Sequence, residues 1–429
     1  MSRAARVNLA TDPALPQRDL LLDLDEVIKR LSAQLGSDGA IRIDNCERLR
    51  IKYSPGASLR LLHRIRIGAA SYTVAAHAFT EGRSHSAFER AKGKSIPCGP
   101  LLPIVRDAEL DAVYWTFPNE RKIANLSVLA TPPGQLASLF DNRWSRSRIV
   151  AYAPEKCVTA ECLNDKDELL AYAKVYSDEE PSSFAVYDRL RQNISAAKLN
   201  LRIPRALAYL KEYRTLLLEP IVGRRITDLR GAARPDGFRH LGAALAALHS
   251  LPVPDDLPPF KRLDPDHMRK AAALIGQSRP DVRELAAEVA EKLCELWTAP
   301  TDPQVCLHGD VHPKNGIVQS GRVALIDLDQ AGAGPAAADL GSLLAALRYS
   351  RCVGTLSPAN GRELTAAFLS GYSEARELPG QSYLRWHVAA ALLAERALRS
   401  VSRIRQDGLE RLNELLIDCQ KLLSEERYE

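Results

Sequence analysis

Residues 305–329 read VCLHGDVHPKNGIVQSGRVALIDLD, and the order of residue types along this stretch decides the fold. The apolar Val305, Cys306 and Leu307 lead into His308, Gly309 and Asp310, and a polar loop then carries Asn315 five residues beyond the Asp310 carboxylate. Two further apolar runs, GIV from Gly316 and VALI from Val323, are parted by Ser320 and Gly321, a hairpin signal. A hairpin turns the chain back on itself, so Asp327, 12 residues after Asn315, returns beside it. An amide oxygen and a carboxylate then converge, as an oxygen-seeking Mg2+ requires.

Upstream, alternating apolar residues predict three strands, RIVAYAP, KCVTAECL and LLAYAKVY, with a polar turn from Asn164 to Glu168 and Lys174 on the third strand. A helix over SSFAVYDRLRQNI follows Pro181, where a helix start tolerates proline. A strand pair around RALAYL and RTLLLEPIVG then ends at Gly223. Beyond Gly223, apolar residues recur at three-to-four spacing in FRHLGAALAALHSL, PDHMRKAAALIGQ and DVRELAAEVAEKLCELW, and the chain after the hairpin reads as helix to its end. A β-rich part joined by a short hinge to a helical part is the α+β, bilobal layout of a protein-kinase-like fold.

Phosphoryl transfer asks a protein to orient the acceptor hydroxyl, to hold metal ions that bridge the phosphates, and to supply positive charge to the nucleotide. The interval from Asp310 to Asn315 equals that between the aspartate and the asparagine of the kinase catalytic loop. Lys174, among small and apolar neighbours just ahead of a helix, stands where a kinase keeps the lysine that reaches the α- and β-phosphates.

With these residues in view, the chain resembles the aminoglycoside phosphotransferase and choline kinase superfamily, marked by H-G-D-x-H-x-x-N and an apolar strand ending in I-D. The resemblance covers about residues 145–400 and implies an ATP- and Mg2+-dependent transferase acting on a hydroxyl of a small molecule such as a sugar, aminoglycoside or amino alcohol. It makes Asp310 the catalytic base or hydroxyl-orienting residue, His308 the brace of its loop, and Asn315 and Asp327 the metal ligands. The phrase from Gly334 to Leu340 resembles the family's G-D-P-x-x-D-L-A element without its first aspartate, and Asp339 is expected to hold the loop from a helix start. On the nucleotide side it implies Lys174, with Asp188 as its acidic partner ahead of Glu179 and Glu180, Lys156 in a covering turn, and main-chain groups from Glu219 to Val222 at the hinge. That turn, Tyr152-Ala153-Pro154-Glu155-Lys156, holds no glycine where family members often have one. A kinase-like binding or scaffold protein without catalysis is the alternative, and the intact Asp310, Asn315 and Asp327 argue against it.

Other residues carry bland readings beside functional ones. His312 either packs the loop or meets substrate, and Asp329, expected on the same strand face as Asp327, either touches a metal through water or, the preferred reading, is a solvated acid. The helix-ending Leu248-His249 pair resembles a family feature that the helix dipole explains without catalysis. Trp386, His387, Glu395 and Arg396 line an acceptor pocket or serve packing and surface pairing.

Residues 1–140 form an N-terminal α/β cap-like domain in this reading, ahead of an N-lobe at 141–222 and a helical C-lobe at 223–429. The cap resembles that of maltokinase-like enzymes, which favours a saccharide acceptor. Its phrase RIKYSP from Arg50 is echoed by RIVAYAP from Arg148, which a diverged duplication and a common Tyr-x-Pro turn explain equally. The 429 residues, 46% of them hydrophobic, suffice for more than one core. A net charge of +5, spread along the chain, suits an anionic nucleotide and is too weak to argue for nucleic acid. Neither a signal peptide nor a membrane span is expected, and eight scattered cysteines without a CxxC pair fit reduced thiols in the cytoplasm.

Overall fold

The computed structural model describes residues 9–177, 183–199, 201–260, 263–297 and 303–424. The chain separates into two compact units, Met1–Pro181 with Leu207–Pro220 and Ser402–Ile404, and Ser182–Ala206 with Ile221–Val401 and Arg405–Glu429. The division between Pro220 and Ile221 falls in the stretch read as the hinge.

The first unit begins with α1 (Arg18–Leu22) and α2 (Leu24–Gln34), the latter capped by Asp23, whose side chain accepts the backbone N–H groups of Asp25 and Glu26. Strands β1 (Asn45–Ser54), β2 (Ser58–Ile67), β3 (Ala70–Ala78), β4 (Ile104–Asp107) and β5 (Ala112–Thr116) form a sheet in the order β1-β2-β3-β5-β4. Helix α3 (Ser84–Lys92) intervenes in the chain between β3 and β4. Strand period sorts the side chains: Leu59, Leu61, Ile65, Val74 and Ala76 join Leu21, Val27 and Leu31 in one core, whereas Leu62 and Ala75 take the opposite face.

That opposite face belongs to a second core, shared with Ile123, Leu126 and the short helices α4 (Ser127–Ala130) and α5 (Gly134–Ser138). The same core takes Tyr152, Val158, Ala160 and Ala173 from a second sheet. Its strands β6 (Arg146–Ala153), β7 (Cys157–Leu163), β8 (Leu169–Tyr176), β9 (Ala206–Leu210) and β10 (Thr215–Leu218) run in the order β6-β7-β8-β10-β9. Each buried aliphatic side chain contributes about 1.5–3 kcal/mol, so the shared core fastens the N-terminal residues to the second sheet.

The second unit holds α6 (Ser183–Ala196), α7 (Ala233–His249), α8 (Pro265–Ser278) and α9 (Arg283–Glu295). A small sheet joins β11 (Arg224–Arg225), β13 (Gly316–Gln319) and β14 (Arg322–Leu325), and β12 (Val305–Leu307) pairs with β15 (Gly332–Gly334). The chain continues through α10 (Ala336–Cys352), α11 (Pro358–Ser373) and α12 (Gln381–Ala391) into a π turn at Leu392–Ala397. Helices α13 (Leu398–Ser402), α14 (Gln406–Glu410) and α15 (Leu412–Ser424) complete it. The α+β class of the protein-kinase-like fold, with β-rich residues before helical ones, is therefore what the chain has. All eight cysteines are free thiols, and among the described residues no helix is long and apolar enough to cross a membrane.

Candidate active site

Antiparallel pairing of β12 with β15, from Val305↔Gly334 to Leu307↔Gly332, brings the start of α10 alongside His308. Asp339, in the first turn of α10, uses that position: its Oδ2 accepts the His308 N–H at 2.7 Å and its Oδ1 accepts the Gly309 N–H at 2.9 Å. His249, at the end of α7, donates its Nε2–H to Asp339 at 3.2 Å and accepts the Tyr372 hydroxyl on Nδ1 at 2.9 Å. Burial pushes the His249 imidazole below its ordinary pKa despite the adjacent carboxylate, so the neutral ring serves as donor and acceptor at once. Gly309 cannot be replaced without distortion. Its φ is +76°, and a Cβ there would stand 1.9 Å from the Gln330 carbonyl oxygen.

His308 fastens the loop from within. Its Nε2–H donates to the Ile326 carbonyl at 3.0 Å, and its Nδ1 accepts the Asp310 N–H at 3.3 Å. The Asn315 amide donates to the Asp310 carbonyl at 3.0 Å, which leaves its side-chain oxygen for another partner. Strands β13 and β14 pair from Gly316↔Leu325 to Gln319↔Arg322 across Ser320 and Gly321, whose φ values of 48° and 73° give the primed turn that hairpins prefer. The Ile326 N–H then reaches the Asn315 carbonyl at 2.9 Å, so the hairpin delivers Asp327 next to Asn315 as the spacing predicts. Asp327 adopts a left-handed φ of 65°, tolerated by aspartate better than by most residues, and the next N–H, of Leu328, donates to the buried Tyr187 hydroxyl on α6 at 3.0 Å.

Charge around Asp310 is mostly positive. Burial raises its carboxyl pKa, but Lys314, with Nζ 3.7 Å from Oδ2, together with Arg399 outweighs this and holds the group below its ordinary value. His312 caps the short turn Pro313–Asn315 with its side chain and is pushed down to about 4 by burial, with Arg396 and Lys314 adding to the effect. It is a neutral ring near pH 7.

His308, Asp310, Asn315 and Asp327 thus come together on one loop and hairpin. Lys174 lies buried on the central strand β8, paired with Thr159 on one side and Leu216 on the other. Lys156 is exposed, Glu219 half-buried and Val222 75% exposed. Asp188 sits on an exposed face of α6, its carboxylate taking the Gln192 amide at 2.8 Å. Glu179 and Glu180 lie outside the described residues. Asp329 differs from expectation: the strand ends at Leu325, and Asp329 occupies a turn that follows it.

All four late-helix residues are buried, in keeping with the packing reading and not with surface pairing. Trp386 donates its indole N–H to the Leu293 carbonyl at 2.9 Å. Within the π turn, Glu395 accepts the Ser342 hydroxyl at 2.8 Å and Arg396 donates to the Ser342 carbonyl at 2.9 Å, with burial pushing the Arg396 guanidinium down to about 10. Residue types alone conceal such a turn. Tyr187 was likewise indistinguishable from any core aromatic on α6.

The family model described as "Phosphotransferase enzyme family" matches residues 171–387, slightly more than half of the chain. Solved structures similar to this chain include spectinomycin phosphotransferase APH(9)-Ia with ADP and spectinomycin, at 15% identity and a TM-score of 0.46, over 68% of this chain and 99% of that one. A gentamicin complex of APH(2")-IIa matches at 15% identity and 0.45, over 68% and 98%. A choline/ethanolamine kinase family protein from Mesorhizobium loti matches at 16% identity and 0.45, over 70% and 94%. No curated protein matches the chain.

Proposed function

Because the chain belongs to the phosphotransferase enzyme family, we propose that it transfers the γ-phosphoryl group of Mg·ATP to a hydroxyl of a small molecule. The observation that carries this reading is the rigid unit of Asp310, Asn315 and Asp327, fastened by the Asp339 carboxylate, the His308 ring and the Ile326–Asn315 hydrogen bond.

In this reading Asp310 accepts the hydrogen bond of the acceptor hydroxyl and aims its oxygen. Cations around it keep it ionised, the form that task needs. Asn315 and Asp327 offer one amide and one carboxylate oxygen to Mg2+. Among the described residues no three His, Cys, Asp or Glu side chains converge as a cage. The donor set nevertheless fits, since Mg2+ takes one or two protein oxygens and completes its shell with phosphate and water. The ion supplies charge neutralisation on the phosphates when bound. Lys174 and Lys156 meet phosphate, the main chain from Glu219 to Val222 meets the base, and Asp188 is the helix acid.

The acceptor is read as an uncharged or anionic hydroxyl compound, a saccharide before an aminoglycoside. Lys314, Arg396 and Arg399 all act electrostatically on Asp310 or His312, and a polycation would meet them at a cost. The test is acceptor-dependent ADP release with Mg2+ across sugars, sugar acids, amino alcohols and aminoglycosides. Turnover on a sugar or sugar acid is expected; turnover confined to aminoglycosides would refute the charge argument, and no Mg·ATP binding by folded protein would refute the kinase reading.

A further inference from the structure

The two sheets of the first unit follow one plan. Each is a three-strand meander followed in the chain by a helix and two more strands, and the strand orders β1-β2-β3-β5-β4 and β6-β7-β8-β10-β9 are the same permutation. Their first hairpins close on equivalent pairs, Ser54↔Ser58 and Ala153↔Cys157. Each turn has proline second, Pro55 or Pro154, and a left-handed residue third, Gly56 at φ 70° or Glu155 at φ 64°.

Counting from these turns aligns the sheets residue by residue. In the second, Thr159 pairs with Lys174 and Lys174 with Leu216; in the first, Arg60 pairs with His77 and His77 with Val113. His77 therefore occupies the position of Lys174.

That histidine reaches into the other copy. Its ring Nδ1 lies 2.5 Å from Glu155 Oε1, and Arg121 grips the same carboxylate with both Nε, at 2.5 Å, and Nη2, at 2.7 Å. Arg60 adds a contact at 3.3 Å, and the Lys122 ammonium stands at 3.9 Å. The backbone is held as well, since the Glu155 N–H donates to Glu120 Oε1 at 3.0 Å while Glu120 Oε2 accepts the N–H groups of Lys122 and Ile123. Burial pushes the Glu155 carboxyl up, but the hydrogen bonds from His77 and Arg121 prevail and hold it far below the ordinary carboxylate range. Five polar groups on one turn residue exceed what a hairpin needs to form.

We propose that residues 45–116 are a diverged copy of the nucleotide-lobe sheet that has given up the phosphate-binding lysine and become a clamp: His77 with Arg60 and Arg121 holds Glu155 and so fixes the Ala153–Cys157 turn over the nucleotide phosphates. Glu155 is then a positioning residue, and its anchorage holds fixed a turn that a glycine would leave free to move. A turn held in the bound geometry spares nucleotide the ordering cost on binding. The proposal rests on the kinase reading above, which assigns this turn to the nucleotide.

The test uses the full chain with Glu155→Gly, which keeps the left-handed backbone without strain while removing the anchor, and Arg121→Ala, which empties the grip from the other side. Both are expected to raise Kd and KM for ATP about tenfold, to leave acceptor KM unchanged, and to speed amide exchange over residues 153–157. The double variant is expected to add little to either single one, as for two partners in one contact. Unchanged ATP affinity in folded Glu155→Gly protein overturns the clamp, as does equal loss of ATP and acceptor binding. Should Glu155→Gly fail to fold, Arg121→Ala and Arg60→Ala decide by the same readouts. Wild-type protein that folds without binding Mg·ATP overturns the kinase reading and the clamp together, whereas normal binding by wild type and variants alike overturns the clamp alone.

Discussion

Asp339 and His308 lie 31 residues apart in the chain and 2.7 Å apart in space, the carboxylate of one accepting the backbone N–H of the other. The second oxygen of the same carboxylate takes the Gly309 N–H, so the entry to the Asp310 loop hangs on one buried side chain. Asp339→Ala strands two buried N–H groups and a histidine donor, at a cost of about 3 kcal/mol, while Asp339→Asn keeps one acceptor and loses about half as much. Chemical denaturation of the three proteins measures the ranking; equal stability of both variants would show that the loop is held elsewhere.

Asp310→Asn is expected to lower kcat about 100-fold or more with nucleotide Kd unchanged, because its carboxylate addresses the acceptor. Asp327→Ala should act the other way, weakening Mg·ATP binding and its metal dependence. Nucleotide titrations with and without Mg2+ separate the two, and an Asp310→Asn enzyme of near-normal turnover would remove that residue from the chemistry.

Lys174→Met keeps the stem and deletes the charge at a buried position on β8. The fold should survive, since methionine keeps the length and apolar volume of the lysine stem, while ATP affinity falls about tenfold or more. A catalytically normal variant would mean that the phosphates lie elsewhere.

Glu155 predicts a pH effect on stability. Its folded carboxyl is held below the unfolded value of 4.5, so its contribution is complete above that value and fades as pH falls through the folded one. The stability advantage of wild type over Glu155→Gln should therefore be constant above about pH 5 and shrink progressively as pH falls below 4.5. A gap that widens on acidification would contradict the ionised, clamped carboxylate.

A chain beginning at Asp141 lacks Leu62, Ala75, Ile123 and Leu126 from the second core and Arg60, His77 and Arg121 from Glu155. Removing several buried aliphatic side chains at about 1.5–3 kcal/mol each should abolish a cooperative melt of the second sheet. Calorimetry of the shortened chain against the full one tests this.

The arrangement of the candidate site was legible where its residues are compressed into a few adjacent positions. His308, Asp310, Asn315 and Asp327 are separated by one loop and one hairpin, so spacing and a Ser-Gly turn were enough to bring them together. Strands β6 to β8 were legible through period 2, and Asp339 through the phrase around it. Nothing in the turn's own sequence marks Glu155, because its partners Arg60, His77 and Arg121 come from strands and loops far away in the chain, and sequence pattern carries no such pairing. The sheet duplication surfaced only as one phrase, since a common strand order requires like apolar alternation and not like residues. The turn position of Asp329 is hidden from the sequence because a strand pattern does not mark that the extended run stops at Leu325, ahead of the left-handed Asp327.

The π turn at Leu392–Ala397 has a bearing on chain length. A π turn is an α turn widened to take one extra residue, so the helix before Leu392 and the helix after Ala397 keep the register an unbroken α-helix would give them. Losing one residue between Ala391 and Leu398 would tighten the turn to α and leave the fully buried Val401 in place. The damage would fall on the widened turn itself, where Glu395 and Arg396 reach Ser342, so a single-codon deletion would there act as a local substitution and not as a shift of the chain beyond it.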